Sequence, residues 1–552
     1  MTDEIRLQLI GQPNAEDADK HKELRSTSAS RWRTKEFYFY YACVAVVVPY
    51  MIYVTYGLGP NSPYYNRYAY YLSEGWIAGR KVDNSDLQYA TFRNNLPKLI
   101  LLAVAFLFLS HAFRMVAQKR PTDRFYFLAM VSVLITLGLH GASIIKILII
   151  VSCSYGIAFI AQGSRWNPIC TWIFNLAILF GNEYYNGYRF ATLGSTFAWL
   201  DQYQGYHARW HVLFNFVMLR LISFNVDYYW QCRKGREAYT VARSDESITD
   251  KERITIPCRA SDYNYVYFIS YVFYTPLYLC GPIITFNDFV SQVRQPSSKI
   301  QRSYVVIYAL RWMAVVLVME VTLHYLYVVA ISKAGAWEGY TPMQLSMIGY
   351  FNLVIIWMKL LIPWRFFRLW ALLDGIWPEE NMVRCVSNNY SAQRFWKSWH
   401  RSFNRWMIRY IFIPLGGSKY ITYNMWIVFT FVALWHDLEL KLLAWGWLIC
   451  LFLLPEIIAS KLYNYDKYGE QPSYRFVCGL GATFNILLMM IANLVGFCIG
   501  LDGMKAMLSE IMGNLQGFYF LLCAIAALFV GVQIMFEIRE SEKRRGDPKW
   551  TM

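Results

Sequence analysis

Charge is what this chain has least of. Only 16% of its 552 residues are Asp, Glu, Lys or Arg, too few to clothe a large soluble surface, so a big soluble domain is excluded. Cysteine occurs eleven times but forms no CxxC pair and no regular framework. Most of these residues lie in or beside apolar segments, which argues for free thiols and against a disulfide scaffold or a zinc module. No internal repeat is evident. No cleavable signal peptide is expected either, because the first apolar run begins only near Phe37 and is too long for such a segment.

What is present is apolar. The chain is 56% hydrophobic and 18% aromatic, with a mean hydropathy of +0.25, the composition of an all-α polytopic membrane protein. Its formal charge of +16 fits basic residues crowded into membrane-flanking loops, where they orient spans and meet anionic headgroups, rather than a nucleic-acid surface.

Along the chain, residues 1–36 form a polar tail ending in Arg25, Arg31, Arg33 and Lys35. A single membrane domain is expected over 37–538, followed by a basic tail at 539–552. Apolar runs occur near 37–56, 97–117 and 125–161, the last interrupted by Gly138, Gly141 and Lys146. A lysine at that depth is expected to snorkel or pair. Residues 57–96, rich in Tyr, Asn and Gly, read as a folded loop. A short run at 168–181 precedes a stretch carrying His207, Arg209, His211, Arg220 and Asp227 among large apolar residues, expected at the interface or lining a cavity. Residues 231–262 form a hydrophilic insertion. Further runs fall at 263–282, 304–331, 347–372, 424–436, 440–458, 475–500 and 515–537. Pro276, Gly281 and Pro282 should break the first of these, and backbone freed at membrane depth has to face protein or a cavity, so an internal chamber is expected. Basic residues at both ends predict an even number of crossings, ten to twelve, with cytosolic termini.

The chemistry concentrates between Glu380 and His436. Winding Phe395 onward as a helix, at about 100° per residue, sorts it into an aromatic face of Trp396, Trp399, Phe403, Trp406 and Tyr410 and a basic stripe of Lys397, Arg401, Arg405 and Arg409, with His400 and Asn404 on the seam. His436 ends an apolar run, between Trp435 and Asp437. Taken singly, the aromatic stripe reads as packing, the basic stripe as a headgroup-facing surface, and His436 as a capped interfacial histidine. Together they describe a site where a lipid meets an anionic cofactor, with imidazole suited to take a proton from a hydroxyl.

The segment FWKSWHRSFNRWMIRYIFIPLGGS, answered by FVALWHD and preceded by the broken PLYLCGPI stretch, resembles the signature of the membrane-bound O-acyltransferase family. ENMVRCVSNNYSAQRFWKSWHRSFNRW and HARWHVLFNFVMLRLISF resemble its fungal branch that remodels glycosylphosphatidylinositol (GPI) anchors and was first named for glycerol uptake. The resemblance implies a chambered fold with re-entrant segments, in the endoplasmic reticulum membrane. It implies transfer of a long or very long acyl chain from acyl-CoA to the sn-2 hydroxyl of a lyso-phosphatidylinositol GPI anchor. The family's catalytic histidine falls on His436 and its second polar position on His400, with Asn404 as a further polar candidate. Trp396, Trp399 and Trp435 are expected to contact substrate, and Arg401, Arg405, Arg409 and Lys419 the phosphates of CoA. The segment Arg384–Cys385–Val386–Ser387 also resembles the hedgehog acyltransferase branch, whose cysteine ligates a haem, which would make Cys385 a thiolate ligand. Two other classes stay open: a glycerol or small-solute transporter, disfavoured by the lack of two related halves, and a non-catalytic relative, disfavoured by the presence of both histidines. The sequon at Asn389–Tyr390–Ser391 is expected to be unused, so close to a buried motif.

Overall fold

The computed structural model describes residues 29–116, 121–207, 209–234, 250–335 and 337–547. Most of the polar N-terminal tail, the middle of the hydrophilic insertion and the last five residues lie outside the described residues. Apart from one two-stranded antiparallel ribbon, Leu72–Glu74 against Lys81–Asp83, the regular structure is helical. Eight helical stretches among the described residues are long and apolar enough to cross a membrane: Lys35–Tyr56, Leu87–Val116, Asp123–Ala161, Arg302–Tyr325, Pro342–Leu373, Leu440–Leu462, Tyr474–Phe497 and Leu515–Arg545. Their outer faces carry exposed Leu101, Phe108 and Ile160, as lipid-solvated surfaces should. Asp123–Ala161 is itself interrupted by a tight turn at Gly141–Ser143. There Gly141 and Gly205 both adopt positive φ and lie back to back, so close that a methyl group on either would overlap the facing backbone.

Three of the apolar runs expected to span lie outside these eight, for local reasons. The run at 263–282 is broken into Tyr265–Val272 and Thr275–Tyr278, with Pro276 opening the second piece. The run at 424–436 belongs to a helix of 16 residues, Ile421–His436. The run at 168–181 lies in Trp166–Tyr184, which buries Asn167, Thr171, Asn175 and Asn182 and so loses hydropathy.

The start of the first helix and the end of the last one meet: the Arg31 amide donates to Glu537 Oε1 at 3.1 Å, and Arg475 and Arg544 converge on the same carboxylate. The last helix continues to Arg545, so residues 539–545, which composition assigns to a tail, are a packed helical end. Of the loop expected over 57–96, the last ten residues belong to the helix Leu87–Val116; the rest is folded, Tyr64 and Arg67 donating to the carbonyls of Gly339 and Glu338, both at 2.8 Å. Lys146 is buried and paired, its Nζ donating to the Tyr188 carbonyl at 2.7 Å over the Phe190 ring.

At the centre stands Trp210–Lys234. Phe214, Met218, Leu219, Leu221, Ile222 and Phe224 on it are wholly buried, so this helix is a core element rather than an interfacial one. Several of its polar residues bond other parts of the protein. Arg220 Nη1 donates to the carbonyls of Tyr271 at 3.2 Å and Val272 at 2.6 Å, the groups freed where Tyr265–Val272 ends inside the protein. A buried carbonyl without a donor costs about 1 to 3 kcal/mol. Arg220→Met, which keeps the aliphatic stem but strands both carbonyls, is therefore expected to destabilise the protein by about 2 to 4 kcal/mol. Thermal unfolding of the purified variant in detergent measures this, and an unchanged midpoint would show that the break needs no donor.

Candidate active site

The stretch expected as one helix from Phe395 is two. Ala392–Ser398 and Arg401–Met407 are separated at Trp399 and His400, and Ile408–Phe412 then widens into a π-turn. The break has a definite cause: His400 adopts the left-handed conformation, φ 44° and ψ 49°, which a continuous right-handed helix cannot contain. The periodic sorting of side chains consequently holds only within each piece. Phe403, Trp406 and Tyr410 do form a file of rings, with centroids 6.2 and 5.3 Å apart. Trp399 instead stacks on Phe395 at 5.2 Å, and Trp396 packs against Phe429 and Trp445.

The break turns His400 inward. It is buried, its imidazole stacks on Trp364 at 4.3 Å between centroids, and it lies 5.1 Å from Phe403 and 6.2 Å from Trp435. Its Nε2 has no hydrogen-bond partner. His436, the last residue of Ile421–His436, lies 4.9 Å from the same Trp435, centroid to centroid. The two imidazoles are within electrostatic range of each other, with Trp435 beside both. His436 differs from His400 in access: it is exposed, whereas His400 is buried. Trp435 is fixed by a reciprocal pair, its Nε1 donating to the Asn215 carbonyl at 3.0 Å and Asn215 Nδ2 donating back to the Trp435 carbonyl at 3.1 Å.

The basic stripe does not survive as a stripe. Arg401 and Arg405 both pair with Glu379. Arg409 is buried against Asp227, Nη2 to Oδ1 at 2.8 Å, over the Trp230 ring. Lys397 and Lys419 are exposed. Asn404 is half-buried, its amide donating to the His400 carbonyl at 3.0 Å. Asp437 is half-buried and lies in the electrostatic neighbourhood of Glu183 and Glu439. Cys385 is exposed, on a loop whose carbonyl at that residue accepts from the Asn388 amide and from Asn389 Nδ2 at 2.9 Å. That bond buries the sequon asparagine. Among the described residues no group of His, Cys, Asp and Glu could hold a metal ion. An apolar groove of about 650 Å³, lined by Leu451, Pro455, Ile458, Phe484 and Leu488 among others, contains neither histidine.

The central helix had no place in the sequence-based site, yet it holds two of its residues, Trp435 and Arg409, and the rings between them. Trp406 Nε1 donates to the Leu219 carbonyl, Ser223 bonds the Tyr410 hydroxyl at 2.7 Å, and Asp227 receives both Arg409 and Tyr410. The polar residues between 207 and 227 were the available signal. Because Asp227 and Arg409 are enclosed, Asp227→Ala should strand a buried guanidinium at a cost of about 3 to 5 kcal/mol, whereas Asp227→Ala with Arg409→Leu should recover most of it. A double-mutant cycle on thermal unfolding gives the answer, and additive losses would show that the pair is not coupled.

A family model described as MBOAT, membrane-bound O-acyltransferase family, matches residues 190–501, which contain both histidines. The chain is 46% identical over 544 residues to membrane-bound O-acyltransferase GUP1 of Candida tropicalis, covering 97% of this chain and 92% of that one. It is 47% identical to GUP1 of Saccharomyces cerevisiae, covering 94% of each. A more distant likeness, 28% over 204 residues and 35% of this chain, joins it to the mouse protein-cysteine N-palmitoyltransferase HHAT, of which it covers 40%.

Proposed function

We propose, from the premise that the chain belongs to the membrane-bound O-acyltransferase family and is a polytopic membrane acyltransferase, that it moves a long or very long acyl chain from acyl-CoA to the sn-2 hydroxyl of a lyso-phosphatidylinositol GPI anchor in the endoplasmic reticulum. The observation that carries the chemistry is the pair of histidines beside Trp435, one buried with an unpartnered Nε2 and one exposed. His436 takes the proton of the acceptor hydroxyl as general base. The hydroxyl oxygen attacks the thioester carbonyl carbon, the carbon–sulfur bond breaks, and the CoA thiolate leaves and recovers the proton from the imidazolium. No covalent enzyme intermediate is needed. His400, with its proton on Nε2, donates to the developing oxyanion, with Asn404 as the alternative donor; a well-aimed donor of this kind is worth about 3 to 4 kcal/mol.

Trp396, Trp399 and Trp435 supply the apolar wall for the acyl chain. Lys397, Lys419, Arg401 and Arg405 meet the phosphates of CoA, while Arg409, enclosed with Asp227, serves the scaffold. Arg33 and Lys35 at one end of the chain and Lys543 to Arg545 at the other support a cytosolic location for the face on which the two ends meet.

The decisive assay supplies purified protein with long-chain acyl-CoA and a lysophosphatidylinositol-type acceptor. Wild type should transfer the chain, and His436→Ala should lose at least about a thousandfold in rate, more than simple loss of proton transfer requires, since the histidine also orients the hydroxyl. A folded wild type inactive with every acyl-CoA and GPI-type lipid supplied would remove this substrate assignment, and solute flux would be measured next.

Haem at Cys385 belongs to the same proposal. The exposed thiol, on a loop tied to Asn388, Asn389 and Glu542, fits a thiolate ligand at a surface-accessible edge. Such a group would staple the loop and take no part in acyl transfer. Wild type should show a thiolate-haem Soret band that Cys385→Ala abolishes; protein supplied with haem during expression that shows no such band rules the ligand out.

A further inference from the structure

The strained backbone at His400 raises a question that the acyltransferase reading leaves open: what holds a histidine in the left-handed region? Among the described residues only Ala78, Gln162, Asn186 and His400 adopt positive φ without being glycine. Of these, His400 is the one with its side chain in the candidate active site. Such a conformation persists only where the surroundings over-determine it, and it tends to mark functional sites. Here the surroundings are a short segment seventeen to nineteen residues upstream. The Val383 amide donates to the Ser398 carbonyl at 3.2 Å, on one flank of the break. On the other flank the Arg401 amide donates to the Asn381 carbonyl at 3.1 Å, and the Ser402 amide donates to Asn381 Oδ1 at 3.2 Å.

The consequence is specific. Arg401 and Ser402 open the helix that follows His400, and their amides are among those a helix leaves unpaired. His400 stands at the N-cap position but makes no side-chain cap bond. Asn381, from elsewhere in the chain, does the capping with both its backbone and its side chain. That releases the imidazole from the usual N-cap duty, so its ring can stack on Trp364 and leave Nε2 unpartnered. Asn381 is buried, and its Nδ2 also has no partner, so the side chain is held through its oxygen alone. Ser402, in turn, accepts the Ile283 amide on its Oγ at 2.8 Å, which ties the capped turn to the last residue of the broken PLYLCGPI stretch.

We propose that Asn381 is the positioning residue for His400: by capping the helix in place of the histidine, it fixes the left-handed turn that turns the imidazole toward the reacting groups. This rests on the acyltransferase reading, and it adds a residue that acts through His400 without touching substrate.

The test compares Asn381→Ala, which loses the side-chain cap, with Asn381→Asp and Asn381→Ser, which keep an oxygen acceptor. Acyl transfer is measured on the full-length protein, with kcat and KM for the acyl donor. The expected result is a fall of about tenfold to a hundredfold in kcat for the alanine variant, the scale of a small misplacement of a catalytic group, with KM nearly unchanged and activity largely restored by aspartate or serine. Alanine retaining wild-type kcat overturns the inference, as does a folded aspartate and serine pair as impaired as alanine. Should the alanine variant not fold, the aspartate and serine variants still decide, since both must be active. Cryo-electron microscopy of the variants reads the ring position independently of turnover. His400 should leave Trp364 in Asn381→Ala and stay in Asn381→Asp, and an unmoved ring in a folded alanine variant refutes the inference whatever the activity. An inactive wild type removes the substrate reading beneath it, whereas an unperturbed alanine variant of an active wild type removes this inference alone.

Discussion

Backbone polar groups in a bilayer have no water to fall back on, and this constraint governs the protein more than any single contact. A chain that builds a chamber must break helices at depth, and each break releases carbonyls and amides that only protein can answer. The central helix Trp210–Lys234 is how this sequence meets that demand. Arg220 takes the carbonyls at the end of Tyr265–Val272, Asp227 takes the guanidinium of Arg409, Ser223 takes Tyr410, and Asn215 takes Trp435. Four polar side chains on one buried helix thus serve two different parts of the site. The residues that looked too polar for a span are polar because they replace water.

The same logic explains why the two histidines differ. His436 ends a helix, where side chains leave the packed face, and it keeps accessible surface. His400 lies at a break held from outside the helix and points into a nest of rings. One group is open to a diffusing acceptor, the other shielded. In the proposed reaction the accessible imidazole exchanges the proton, and the enclosed one presents a fixed donor without reorganisation when charge develops.

Several features were legible in the sequence because they depend on local chemistry. The all-α membrane class follows from composition, the break near Pro276 from proline geometry, and the pairing of Lys146 from the cost of an isolated charge in lipid. The neighbourhood of His400 and His436 was legible through a motif rather than through periodicity. What stayed hidden depends on distance. Arg409 lies 182 residues from Asp227 along the chain, and nothing in a periodic reading tells a basic residue facing a headgroup from one facing a buried carboxylate. The left-handed turn was equally hidden, because histidine carries none of the signal that glycine gives for positive φ. A single helix from Phe395 was the reasonable expectation, and it failed at the one residue where the backbone serves the site instead of the helix.

That failure bears on how the cationic residues are to be understood. In a continuous helix, Lys397, Arg401, Arg405 and Arg409 would project together as one anionic-ligand surface. With the break at His400 and the π-turn at Ile408–Phe412, they separate into an exposed lysine, two arginines sharing Glu379, and one arginine enclosed with Asp227. A guanidinium enclosed with a carboxylate has lost its hydration and found its counter-charge, so it offers little to an incoming phosphate. Exposed cations keep theirs available. The proposed contact with an anionic donor therefore belongs to the part of the old stripe before the π-turn, while Arg409, enclosed within that turn, has become structural.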